Sequence, residues 1–238
     1  MSSIADSTVL LIGAGGLGCP TLVGLLSGGV GRVIVCDDDE VDEGNLHRQI
    51  LFFDDSVGQP KLDALRVGAR RLKLPEGRIE IVRQRFLPQT AAELAGCADL
   101  VIEGADNFAT KFLAADTCAL AEKPIIHGAA LGWNATVWAV GPGGKPCYRC
   151  LFEDLPAEDQ RPNCNTAGVM GPVVGFAGGL MAELALRVLC GDPSFGAILT
   201  YDGLGDRLRS VPVNCRPACP LCGQPRQISD IDEARYLA

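Results

Sequence analysis

The stretch CDDDEVDEGNLHRQ, residues 36–49, holds six acids in the seven positions from Asp37 to Glu43 and then a single arginine, Arg48. A solvated acidic loop has no need of a guanidinium at its end. A loop that receives a polyanion does, because the planar fork of Arg gives paired hydrogen bonds to phosphoryl oxygens where Lys offers a point charge. Lys61 follows in GQPKLDA, just inside a helix whose start is marked by Pro60. Asp106 lies in EGADN, directly after an apolar run. This trio suits a magnesium–triphosphate: the cations neutralise phosphoryl oxygens and the carboxylate holds the metal. Asn45 and Gln49, close to Arg48 in sequence, can donate to the same oxygens, and Asn107 follows Asp106. Each residue also has a plainer role: Arg48 can pair with a neighbouring acid, Lys61 can be a solvated helix charge, and Asp106 can cap the helix that begins after it.

A glycine motif precedes these residues. GAGGLG (13–18) stands between a strand pattern and a helix pattern, the context that gives G-x-G-x-x-G its meaning. Gly13 permits the turn, Gly15 lets a phosphate approach the backbone, and Gly18 allows close helix–strand packing. Asp37 closes the next strand about twenty residues on, where a ribose hydroxyl needs an acceptor. A nucleotide is expected. An NAD(P)-dependent oxidoreductase satisfies the same motif, but it needs a hydride-transfer acid–base group, and the chain has only two histidines, His47 and His127, to which we assign structural roles.

The elements that must position this chemistry alternate. TVLLIG (8–13), RVIVCD (32–37), RIEIVRQ (78–84), ADLVIEGAD (98–106) and PIIHGAA (124–130) read as strands. Residues 17–29, 61–72, the AELAG segment and FATKFLAADTCALAE (108–122) read as the helices between them. WNATVWAV (133–140) follows with no room for a crossover helix and is expected to be antiparallel. A glycine-rich helix around 168–190 precedes a late strand pair, GAILTYDG and DRLRSVPV. The expected class is α/β: a Rossmann-like nucleotide-binding sheet, parallel in its first half, with an antiparallel extension. Residues 151–166 read as a polar crossover loop, and 224–238 as a polar C-terminal tail.

Eleven cysteines are present. Cys147 and Cys150 form one C-x-x-C, Cys219 and Cys222 another, and two matched pairs read as a closed tetrahedral zinc site, a structural knuckle. Cys164 sits in the crossover just before Thr166, a candidate N-cap, and a helix N-terminus favours a thiolate nucleophile. Cys19, Cys36, Cys97, Cys118 and Cys190 fall in apolar patterns and are expected to be packing residues, while Cys215 lies near the second pair.

Composition narrows the partners. A net charge of −8 and a pI near 4.8 argue against nucleic acid or an anionic membrane, which need a basic footprint. The N-terminus lacks a signal-peptide pattern, and the most apolar stretch carries Pro172, Glu183 and Arg187, so no membrane span and a cytoplasmic location are expected. The 29 glycines point to close backbone approaches.

GAGGLG, CDDDEVDEGNLHRQILF, GQPK, GADN, CYRC, NCNTAGVMGPVVG and CPLC, in that order up to about residue 223, resemble the ThiF/MoeB/HesA family, bacterial relatives of ubiquitin-activating enzymes. The resemblance implies a single adenylation domain over 1–223 that uses ATP to adenylate the C-terminal glycine carboxylate of a small ubiquitin-like sulfur carrier ending in Gly-Gly. It implies that Gly16 and Asp37 bind the nucleotide, that Asn45, Arg48 and Lys61 hold its phosphates, and that Asp106 binds magnesium. In thiamine-pathway members a cysteine in the motif of Cys164 takes part in sulfur transfer, which points to a ThiS-like carrier; a MoeB-like molybdopterin branch is the alternative. Members form homodimers in which an N-terminal helical arm brings an arginine to the partner's nucleotide. Here the first strand starts by about residue 8, so Arg48 and Lys61, with Arg85 as a substitute, are expected to carry the neutralisation, and the sulfur donor is expected to be a separate protein. A non-catalytic carrier-binding module remains the third reading.

Overall fold

The computed structural model describes residues 3–155, 168–192 and 195–236. Eight strands form one sheet: β1 (Thr8–Ile12), β2 (Arg32–Cys36), β3 (Ile79–Val82), β4 (Leu100–Glu103), β5 (Ile125–Leu131), β6 (Asn134–Val140), β7 (Ala197–Asp202) and β8 (Arg207–Pro212). Their spatial order is β3-β2-β1-β4-β5-β6-β7-β8, parallel from β3 to β5 and antiparallel from β5 to β8. This is the architecture expected from the sequence.

The period of two along each strand builds two cores. In β1, Val9 and Leu11 join one core while Leu10 and Ile12 join the other. The first core is covered by α1 (Gly18–Ser27), α2 (Lys61–Arg71) and α6 (Gly171–Leu189); the second by α3 (Pro88–Gly96) and α4 (Phe108–Leu120). A one-turn helix, α5 (Tyr148–Leu151), carries CYRC. Among Val, Ile and Leu on strands buried on both faces, one polar side chain is fully buried: Glu103, the last residue of β4.

α6 corrects one expectation. It is long and apolar enough, by length and composition, to cross a membrane, and Pro172 does not interrupt it. Pro172 sits in the first turn, where its missing N–H is one of the helix's unpaired donors in any case. Val173, Val174, Ala177, Met181 and Ala185 bury the helix against the sheet and α1. The glycines permit that approach: a Cβ on Gly24 would stand 2.5 Å from that of Ala182, and one on Gly178 2.4 Å from Pro20 Cγ.

The segment after residue 223 is not a free tail. Ile228 packs in a small core with the paired cysteines, and Tyr236, in a turn over Glu233–Tyr236, is buried in the second core. Its apolar residues are spaced too widely to read as an element, yet Ile228 and Tyr236 are both buried.

Candidate active site

The strand order reverses direction between β1 and β4, and open α/β sheets bind ligands in the crevice outside the strand ends at such a point. Ile12 pairs with Cys36 on one side and with Glu103 on the other, so the loops after β1, β2 and β4 leave the sheet side by side. The glycine loop starts there. Gly13 holds φ +92°, a left-handed value that disfavours a side chain, and a Cβ on Gly18 would strike the Gly13 carbonyl oxygen at 2.0 Å. Over Gly15 the space is open, with only Gln49 Nε2 within 4 Å of a built Cβ, at 3.7 Å. No side chain caps the start of α1; the Cys19 N–H bonds the Gly15 carbonyl at 2.9 Å and Pro20 has no N–H to offer.

Four of the six acids in the run are engaged locally. Asp37 accepts the Ala14 N–H at 2.7 Å and the Asp39 N–H at 2.9 Å, which ties the glycine loop to the end of β2. Asp42 accepts the Gly44 N–H at 2.8 Å. Asp39 pairs with Lys61 at 2.7 Å; Lys61 is 6 % exposed, so it is no solvated helix charge. Arg85 lies 3.8 Å from Asp38, both exposed. After these pairings Arg48 is left over. It is half-buried, its Cγ lies 3.4 Å from a Cβ built on Gly16, and among the described residues no carboxylate comes within ion-pair distance. Its nearest polar contact is His47 Nε2 at 3.4 Å. Gln49 is buried beside it with its Oε1 lacking a partner among the described residues. An unpaired cation beside an open glycine loop, with the Gln49 Nε2 donor at the same space, fits a bound phosphate chain.

Asp106 is exposed on the neighbouring loop. The cap of α4 is Asn107, not Asp106: the Asn107 Oδ1 accepts the Thr110 N–H at 2.8 Å, and its Nδ2 is left as a donor. Behind the loop lies a cluster absent from the sequence reading. Glu103 accepts from Lys111 at 3.0 and 3.1 Å, from the Ala105 N–H at 2.6 Å, and meets His127 Nδ1 at 3.2 Å. Burial is the largest influence and works to raise the Glu103 pKa, but the charges and hydrogen bonds of Lys111 and His127 together outweigh it and the carboxyl sits below its usual range. Burial likewise lowers His127, against the pull of Glu103, so the ring is neutral with its Nδ1 proton toward the carboxylate. A lone acid ending an apolar strand, followed by a lysine on an otherwise apolar helix face, is the signal that could have found it.

Cys147, Cys150, Cys219 and Cys222 converge with their sulfurs within 4.8 Å of one another. The 147–219, 150–222 and 147–150 separations are 3.4, 3.3 and 3.8 Å, close to the edge of about 3.8 Å of a tetrahedron built on Zn–S bonds of about 2.3 Å. The four thiols and their largely buried, closed setting fit a structural metal. Burial opposes ionisation of Cys219, but the N–H groups of Cys222 and Leu221 prevail and bring its pKa to about 7. Of the cysteines expected to pack, Cys19, Cys36 and Cys118 are buried, while Cys97 and Cys190 are exposed: they follow the last residues of α3 and α6, where the chain turns outward. Cys164 and Thr166 lie outside the described residues, as does most of the crossover expected over 151–166.

Fold and site thus define a nucleotide-binding α/β domain with a cysteine knuckle. The chain belongs to the ThiF family, whose profile matches residues 1–221. It is 40 % identical over 237 residues to the sulfur carrier protein adenylyltransferase of Thermus thermophilus, covering 95 % of this chain and 86 % of that protein. It is 36 % identical over 239 residues to the SAMP-activating enzyme E1 of Haloferax volcanii, covering 99 % and 88 %. The adenylyltransferase and sulfurtransferase MOCS3 of Dictyostelium discoideum is 34 % identical over 233 residues, which is 96 % of this chain but 55 % of that one. Among solved structures, Escherichia coli MccB with ATP superposes with a TM-score of 0.79 at 22 % identity, over 92 % of this chain and 68 % of that one, a likeness of fold.

Proposed function

We propose that this protein is an adenylyltransferase that uses ATP to activate the C-terminal glycine carboxylate of a small ubiquitin-like sulfur carrier. The observation that carries the reading is Arg48: among the described residues no carboxylate comes within ion-pair distance of its guanidinium, which stands beside the open glycine loop. Relatives at 36 % and 40 % identity named for activating such carriers supply the substrate class.

The reaction brings two anions together. A carboxylate oxygen of the carrier attacks the α-phosphorus, the bond to the bridging oxygen breaks, and its electron pair leaves with pyrophosphate. No general base is needed, because the nucleophile is already ionised at neutral pH. The barrier is repulsion plus the charge that develops on the leaving group, so fixed cations in a water-poor cleft are the effective catalysts. Arg48 and Lys61 fill that role, with Asn45 and Gln49 donating to phosphoryl oxygens. The backbone of Gly13, Gly15, Gly16 and Gly18 admits the phosphates, and Asp37 accepts from the ribose. Magnesium bound with the nucleotide would be held by Asp106 and would supply further neutralisation. Zinc would be held by Cys147, Cys150, Cys219 and Cys222 as a structural ion. A thiamine-pathway carrier, with Cys164 receiving sulfur, is the narrower part of the proposal; it rests on the NCNTAGVMGPVVG motif.

Carrier-dependent exchange of labelled pyrophosphate into ATP tests the reading. Exchange with a Gly-Gly-ended carrier, abolished by removing its terminal glycine, is expected. Carrier binding without exchange would identify a binding module, and NADH binding without ATP binding an oxidoreductase. Cys164→Ser is expected to keep exchange and block sulfur loading; unchanged loading would remove Cys164 from the scheme.

A further inference from the structure

Glu103 has no place in the chemistry above, yet it is one of the most heavily bonded side chains in the molecule. Its carboxylate is fully buried and takes the Ala105 N–H, two contacts from Lys111 Nζ, and His127 Nδ1. Lys111 Nζ goes on to the Gly128 carbonyl at 2.7 Å, so the ammonium links β4, β5 and α4. A buried ion pair is weak evidence for stability, because apolar residues of similar volume commonly do as well or better. What this pair does locally is more specific. The Ala105 N–H, bonded to Glu103 at 2.6 Å, belongs to the Gly104–Ala105 peptide, one residue ahead of Asp106. Asn107, the next residue, is fixed by its cap on Thr110, and Gly104 N–H is bonded to Ile12 O at 3.0 Å, at the root of the glycine loop. Asp106 therefore has both neighbours pinned, and the reference for its position is the strand that carries the glycine motif.

We propose that Glu103, held by Lys111, is a positioning residue that sets the Asp106 carboxylate for the divalent ion of the bound nucleotide; this rests on the nucleotide reading above. An exposed acid on an unstrapped loop would lose conformational freedom each time it took up the metal, and the buried strap pays that cost in advance.

The test is Mn2+ binding to the protein–ATP complex, read by electron paramagnetic resonance, with ATP binding measured separately by calorimetry. Glu103→Gln keeps the size and one acceptor but removes the charge that holds Lys111. It should weaken Mn2+ about tenfold, leave metal-free ATP binding within about twofold, and speed hydrogen exchange of the Ala105 amide. If Glu103→Gln does not fold, the Glu103→Gln/Lys111→Met pair, which leaves no lone charge, is measured instead, with the same weakening expected. Asp106→Asn should weaken Mn2+ as well, and adding Glu103→Gln to it should change nothing further. Unchanged Mn2+ affinity in Glu103→Gln, or losses that multiply in the double variant, overturns the positioning role and leaves the proposed function standing. A wild-type protein that does not bind Mn2+ with ATP overturns both.

Discussion

At the cysteine knuckle, Arg149 is 2 % exposed and its guanidinium is fully spent. Its Nε and Nη2 each meet Asp116 at 2.9 Å, Nη1 reaches the Glu153 carbonyl and Asp154, and the plane lies over Phe112. At the strand ends, Arg48 is half-buried and meets no carboxylate among the described residues. Both arginines stand inside conspicuous motifs, Arg48 in the turn after the acidic run and Arg149 on α5. The fold supplies the counter-charge to one and withholds it from the other. A buried guanidinium with its own carboxylate is part of the architecture, whereas a half-buried one without such a partner is poised for an anion that arrives from outside.

Substitution of each arginine should therefore fail in a different currency. Arg149→Ala leaves Asp116 buried without its charge partner and should cost about 3–5 kcal/mol of stability in urea unfolding. A loss under about 1 kcal/mol would mean that Asp116 is not held by this pair. Arg48→Ala should leave stability within about 0.5 kcal/mol of wild type, yet lower pyrophosphate exchange by about 10²–10³-fold, a loss of about 3–4 kcal/mol from the transition state. Equal damage by both variants to folding, with no separate loss of exchange, would erase the distinction between them.

What could be read from the sequence was local. The strands of the parallel half are apolar runs of the right length, the glycine loop has its strand before it and its helix after it, and each C-x-x-C is four residues long. What could not be read depends on distant partners. Arg149 looks like a spacer between two zinc ligands until Asp116, 33 residues earlier, is found against it. Glu103 looks like a strand residue, though its partners come from positions 105, 111 and 127. Tyr236, in a segment that reads as polar tail, is 120 residues from the Asp116 carboxylate it bonds. A hint was present: Lys111 and Asp116 are the only two charges in FATKFLAADTCAL, and charges on so apolar a helix demand partners. Asn107 shows the opposite limit, since a cap and a ligand look alike in sequence until the Thr110 amide is located.

The knuckle end can be sharpened with a smaller change. Tyr236 donates to Asp116 Oδ2 at 2.8 Å, completing the acceptor set that Arg149 begins. Tyr236→Phe keeps the buried ring and removes this one charge-accepting bond, so a loss of about 1.5–2 kcal/mol is expected, roughly half that of Arg149→Ala. A neutral outcome would show that the last turn packs on its ring alone.

The smallest effect concerns His127 and sets the site end apart from the knuckle. Burial lowers its pKa against the raising influence of Glu103, so the unfolded chain binds this proton more readily than the folded one. Stability from keeping the ring neutral is present in full above the unfolded histidine range, about pH 6.5, and is lost as pH falls below it. Glu103 is also depressed, so its contribution persists to lower pH and is lost only through the carboxylate range. The His127 share of stability in urea unfolding should be flat from pH 8 to 7 and decline from about 6.5 downward, with a slope of no more than about 1.4 kcal/mol per pH unit. His127→Gln, which has nothing to titrate, should remove the decline between pH 6.5 and 5 while leaving the steeper acid loss below it. A decline of the same size in His127→Gln would assign the upper transition to some group other than this ring.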